Sequence, residues 1–263
     1  MREVAERLLD RLDDIQRRFP LTLEIGARAG LMQRLAGTRG GIERWLPMDL
    51  APSLAGAQGL VADEEWWPIR NGCLDAVLSS MALHSVNDLP GVLAQIRGSL
   101  KPDGLLLAAL PGGATLHELR TCLMQAELDI AGGAAMRVAP MLDVRQAGAL
   151  LQRAGFALPV IDSDTITIRY GHPLKLLDDL RAMGESSVLA ERPRGLWRRD
   201  VLALAMERYQ QAHAHGDGKV PATFEIVYLT AWAPAAGQQQ PLRPGSAKAR
   251  LIDALKPPPP PGP

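Results

Sequence analysis

The sequence predicts an α/β fold: a seven-stranded, mostly parallel sheet with one antiparallel strand, helices on both faces, and a helical insertion before the last strand. Three observations lead there. Short apolar runs recur with helix-like stretches between them, and strand–helix alternation builds parallel sheets through right-handed crossovers. The runs are continuously apolar, as in GLLLAAL (104–110), which suits strands covered on both faces. By contrast, DTITIRY (164–170) and TFEIVYLTAW (223–232) alternate with period two, as antiparallel edge strands do.

Residues 2–18 read as an amphipathic helix, with Val4, Leu8, Leu12 and Ile15 at helical spacing, ended by Phe19-Pro20. LTLEIG (21–26) is the first strand, and a helix follows from about Gly30 to Ala36. ERWLPMD (43–49) is the second strand, with Pro47 pointing to an edge or a bend. QGLVAD (58–63), LDAVLSS (74–80) and GLLLAAL (104–110) come next, with a helix over Leu89–Leu100 and a KPDG turn at 101–104. Thr115 and Glu118 have the T-x-x-E spacing of a capping box opening a helix to about Ile130. Another helix runs from about Val144 to Ala154 and closes at Gly155. Residues 171–220 are too long for a turn between two strands, so a helical cover over the carboxyl ends of the strands, near Pro111 to Thr115, is expected. Residues 1–234 read as one domain, and 235–263 as a Gly/Gln/Pro-rich flexible tail ending in PPPPPGP.

Composition removes several function classes. Lys+Arg and Asp+Glu are each 29, so the net charge is zero, against what a nucleic-acid coat or a polybasic membrane binder needs. Two cysteines, Cys73 and Cys122, rule out a disulfide-dense scaffold and a four-cysteine metal site. Charges recur from Glu3 onward, so no signal-peptide apolar region is present. No apolar run approaches the ~20 residues of a membrane span. A cytoplasmic location is expected, with peripheral membrane association compatible.

Parallel sheets bind ligands at their carboxyl ends, and three features fall there. Glu24-Ile25-Gly26-Ala27-Arg28-Ala29-Gly30 joins the first strand to its helix, where glycines permit a tight turn and close approach of backbone N–H groups to a ligand. Asp49 ends the second strand, where a carboxylate can accept from ribose hydroxyls. Asp63-Glu64 ends the third, where an acid can meet an adenine amino group. Singly, each has a plainer reading as a strand-to-helix turn or an exposed loop acid; together they are the layout of a nucleoside-binding site.

These residues resemble the class I S-adenosylmethionine-dependent methyltransferases, whose Rossmann-like sheet would carry Glu24–Gly30 as its first motif. More narrowly, residues 62–113 resemble the family of the mitochondrial complex I assembly factor of this fold, an arginine hydroxylase, and its alphaproteobacterial relatives. GGATLHELR (112–120), RAGFALP (153–159), RAMGESS (181–187) and GDGKVPATFEIVY (216–228) extend that likeness. A weaker one is to the malonyl-carrier-protein methyltransferase of biotin synthesis. The resemblance implies S-adenosyl-L-methionine as cofactor and a protein substrate or assembly partner in respiratory complex I assembly, with no nucleic acid. It implies Glu24, Gly26, Ala27, Arg28 and Gly30 around the methionine part of the cofactor and Asp49 and Leu50 at the ribose. Asp63 and Glu64 would lie near the adenine, and Ser80, Met81 and His84 would face the sulfonium and the substrate. The chain departs from the family at Arg28, where a middle glycine is usual, and at His84-Ser85, where a His-Trp pair is usual. Relatives also carry an upstream segment that helps cover the cofactor. Arg28 and the lack of that segment point to weakened cofactor binding, so a non-catalytic assembly factor stands beside the enzyme.

The remaining polar residues have plainer readings. His84 has no carboxylate or second histidine at metal-ligand spacing, so a structural or solvent-facing role is the simpler one. His213 and His215 diverge on a helix, and no two-histidine–one-carboxylate pattern points to non-haem iron. Trp66-Trp67 suits either an adenine pocket or packing. Arg192, Arg194, Arg198 and Arg199 suit a solvated helix face or an acidic partner, and Asp75 sets a strand entry.

Overall fold

The computed structural model describes residues 1–189 and 198–239. Its seven strands are β1 (Leu21–Ile25), β2 (Arg44–Asp49), β3 (Leu60–Val61), β4 (Leu74–Ser80), β5 (Leu100–Pro111), β6 (Ala157–Tyr170) and β7 (Val220–Trp232). They lie in the order β3-β2-β1-β4-β5-β7-β6. β1 to β5 pair in parallel, and β7 runs antiparallel to both of its neighbours. Of the two runs read as antiparallel edge strands, only 223–232 is reversed, and it is not an edge strand: β7 is wedged between β5 and β6. β6 forms the edge, points the same way as β1–β5, and begins seven residues before the predicted 164. Its period-two pattern records alternation between half-buried and exposed positions on a thinly covered strand.

The helices are α1 (Arg2–Asp10), α2 (Leu31–Ala36), α3 (Pro52–Ala55), α4 (Leu89–Ser99), α5 (His117–Ala131), α6 (Val144–Arg153), α7 (Pro173–Ala182) and α8 (Arg199–His213). α1 stops well short of residue 18. Asp10, Asp13 and Asp14 crowd its carboxyl end, where the helix dipole disfavours acids, and the chain continues in turns that still bury Leu12. β3 holds only two of the six residues expected of it. It meets β2 at Met48 and Asp49 alone, which leaves Pro47 where no ladder bond is required on the outer side. The KPDG turn is a bulge inside β5: the register on β4 passes from Leu74–Leu100 to Ala76–Leu105, and Asp103 takes φ 62°.

The capping box does not form. The Thr115 hydroxyl donates to the Glu225 carbonyl (2.8 Å) and accepts from the Glu225 N–H (3.1 Å), while the buried Glu118 carboxylate accepts from the Thr223 hydroxyl and N–H. Both side chains clamp the start of α5 to β7, because in the buried interior an unpaired strand group costs more than a helix end that has other partners.

The apolar strands are covered twice. Leu106, Ala108 and Leu110 of β5 face α4 and α6, and Leu105, Leu107 and Ala109 face the layer that includes α1 and α2. A third cluster joins Leu116, α5, α7 and α8 to Val220 and Ala222 of β7. Since Val220 pairs with Tyr170, the last residue of β6, α7 and α8 lie at the carboxyl rim of the sheet, as the length of this region predicted. Arg192 and Arg194 of the basic cluster, and the tail beyond residue 239, lie outside the described residues. No described helix is long and apolar enough to cross a membrane.

Candidate functional site

β1 to β4 end on one rim, and all twelve expected site residues lie on it. The turn from β1 into α2 is tight for a steric reason. Gly26 has φ +65°, and a Cβ there would lie 2.5 Å from the Ala82 Cβ, so only glycine lets the segment after β4 come this close. Arg28 (φ 45°), Ala29 (φ 60°) and Gly30 (φ 76°) are also left-handed, which disfavours residues carrying a Cβ. Contrary to expectation, the amides of this turn face protein acceptors. Ala27 N–H donates to the Met48 carbonyl (3.1 Å), Arg28 N–H to Asp49 Oδ2 (3.2 Å), Ala29 N–H to the Leu54 carbonyl (2.7 Å) and Gly30 N–H to the Ala27 carbonyl (2.7 Å).

The acids follow the strand ends. Glu24 is buried on the α2 side of β1; its Oε1 accepts from Met32 N–H (3.0 Å), whereas its Oε2 is buried with no protein partner. Burial pushes this carboxyl up to about 7, against the lowering pull of the Met32 and Gln33 amides. On β4, Ser79 stands beside Ile25, and its Oγ is likewise buried and unpartnered. Asp49 holds the loops on either side of it, through Arg28 N–H on Oδ2 and Ala51 N–H (3.1 Å) on Oδ1. Leu50 beside it is exposed. Asp63 accepts from Glu65 N–H (2.8 Å), and Glu64 is pushed up, first by burial and then by the charges of Asp63 and Asp49. Glu65 in turn accepts from Asp88 N–H (2.9 Å) and from Asn87, which ties this loop to the start of α4. Trp66 points into solvent, while Trp67 packs against the core.

Across the rim lies a constellation that sequence reasoning missed. The Arg28 guanidinium donates through Nη2 to the Met81 carbonyl and lies 3.5 Å from Glu185 Oε1. Glu185 Oε2 is 2.9 Å from His84 Nε2. Glu185 belongs to the segment after α7, so through this carboxylate the cover reaches the turns after β1 and β4. Burial raises the Glu185 carboxyl, but the His84 hydrogen bond and charge, with Arg28, outweigh it and hold it below its ordinary value. His84 is half-buried and paired, not solvent-facing, and its Nδ1 is buried without a partner. Ser80 and Met81 are buried beside it, Met81 with φ 55°. The one available signal for Glu185 was its place in RAMGESS, since 101 residues separate it from His84. A cavity of about 620 Å³ between α7 and α8, lined by His172, Arg199 and Met206 among others, shares no residue with this cluster.

A family model described as a methyltransferase domain matches residues 1–159. The mitochondrial arginine-hydroxylase NDUFAF5 of Danio rerio is 38% identical, over 97% of this chain and 81% of its own. The malonyl-[acyl-carrier protein] O-methyltransferase of Laribacter hongkongensis is 37% identical, over 93% of this chain and 86% of its own. Among solved structures, phosphoethanolamine N-methyltransferase 2 of Haemonchus contortus, in complex with S-adenosyl-L-methionine, superposes with a TM-score of 0.52 at 14% identity, over 88% of this chain and 52% of its own, a likeness of fold. With the parallel sheet, the glycine-turned β1–α2 junction and the acids on successive strand ends, these matches place the chain in the methyltransferase-domain family.

Proposed function

We propose that the chain is an S-adenosylmethionine-dependent, methyltransferase-like enzyme acting on an arginine side chain of a protein partner in respiratory complex I assembly. One observation carries the cofactor reading: acceptor groups stand at the ends of β1, β2 and β3 in their spatial order. S-adenosylmethionine presents donors in a matching series, namely an ammonium, ribose hydroxyls and an adenine amino group. Glu24 Oε2, buried and unpartnered, fits the ammonium. Asp49 keeps lone pairs beyond those its two amides use and fits the hydroxyls. Asp63 and Glu64 fit the adenine, beside exposed Leu50. When bound, the cofactor supplies an electrophilic methyl group on a sulfonium. The chain's own residues then have three tasks: Gly26 lets the turns after β1 and β4 approach, the acids fix orientation, and Glu185 with His84 closes the rim against water. The name of the NDUFAF5 relatives, arginine-hydroxylase, supports the arginine. We read residues 1–234 as one domain, since the three apolar clusters share one sheet.

Calorimetric titration tests this reading. Saturable binding of both S-adenosylmethionine and S-adenosylhomocysteine is expected, and a chain that binds neither refutes it. The second reading, a non-catalytic binding factor with a degenerate cofactor site, is favoured by the Arg28 side chain lying across the strand ends. Absence of binding in the same titration is its expected outcome.

A further inference from the structure

We propose that the Met81 carbonyl, the Glu185 carboxylate and His84 form a seat for a guanidinium group, filled in the resting chain by Arg28 and taken by the substrate's arginine side chain when Arg28 leaves. This rests on the reading of the chain as an arginine-modifying enzyme and adds the residues that would select that side chain.

The chemistry of the seat is that of a cation receptor. A carbonyl and a carboxylate accept only, and the carboxylate is aimed by His84, which holds Oε2 and leaves Oε1 facing the guanidinium. Two acceptors on different segments suit a planar group with several N–H donors better than the point charge of an ammonium. The present occupant is held closely by the Met81 carbonyl but only distantly by Glu185. Nη2 alone carries both contacts, and 3.5 Å to Glu185 is well beyond the 2.7–2.9 Å of a good charge-assisted bond. Arg28 and Met81 both hold left-handed backbone, at φ 45° and φ 55°, where a residue with a Cβ is disfavoured. Backbone outliers of this kind cluster at active sites, ligand clamps and switch regions. The Glu185 side chain also keeps 22% of its surface exposed, so an incoming group can reach it. Glu185 comes from the cover and not from the strands that carry the acids, which separates this seat from the acceptors assigned to the cofactor.

Ethylguanidinium, a truncated arginine side chain, is the probe. It is titrated, without cofactor, into the parent chain and into Arg28→Gly, with binding read by calorimetry and by the His84 imidazole resonances. Arg28→Gly should bind it at least tenfold more tightly than the parent and should prefer it to ethylammonium by a similar factor. Adding Glu185→Gln should abolish the gain. Equal affinity in the parent and Arg28→Gly, or a gain that survives Glu185→Gln, overturns the proposal. Should Arg28→Gly fold poorly, Arg28→Asn serves for the same comparison, because asparagine tolerates the left-handed region. With no cofactor in the titration, loss of this seat with S-adenosylmethionine binding intact refutes the seat alone, and the reverse result refutes the cofactor reading alone.

Discussion

Glu24→Gln should make the protein more stable at neutral and alkaline pH while leaving it unchanged in acid. The Glu24 carboxyl is moved by burial from an ordinary 4.5 to about 7 in the folded chain. The folded state therefore holds a proton that the unfolded state has released, and stability contributed by this group is present below pH 4.5 and lost as pH rises to about 7. At 1.36 kcal/mol for each pH unit between the two values, the loss is about 3 kcal/mol, most of it between pH 5 and 7. Glutamine keeps an oxygen for the Met32 N–H and cannot ionise, so the variant should escape that loss. Urea unfolding of parent and variant at pH 5, 6, 7 and 8 measures it: the difference should grow from under about 1 kcal/mol at pH 5 to about 3 at pH 8. Parallel pH profiles would show that Glu24 titrates normally and that its unpartnered oxygen is solvated, and the reasoning on its buried carboxyl would fall.

Two further outcomes follow from the same contacts. Arg28→Gly should tighten S-adenosylmethionine binding by about 1–2 kcal/mol in a calorimetric titration, because it removes a cation beside the sulfonium and a strained residue in the turn; weaker binding would make the arginine a ligand contact. Thr115→Ala should lower stability by about 1–2 kcal/mol in urea unfolding, since it removes the hydroxyl that pairs with the Glu225 N–H, while the Glu225 carbonyl keeps the Gly112 N–H; an unchanged midpoint would mean that the α5 clamp contributes nothing.

The order of strands and helices was legible in the sequence because it is written in local periodicity. Runs such as GLLLAAL bury alternate residues on two sheet faces, and the acid at each strand end sits where its own strand places it. Glu24, Asp49 and Asp63 could therefore be located on one rim from spacing alone. The partners of those groups could not. T-x-x-E at Thr115 and Glu118 is a sound local signal, yet tertiary contact with β7 took both side chains, because a buried strand group left unpaired costs more than an uncapped helix end. The insertion of β7 between β5 and β6 leaves no local trace either, since period-two alternation reports how far a face is covered and not which strand lies alongside. The Arg28–Glu185–His84 contact belongs to the same class. Secondary structure depends on neighbours a few residues apart, whereas the pairing of polar groups depends on which elements meet in space, and here the meeting is made by a helical cover folding back over the strand ends 101 residues after His84.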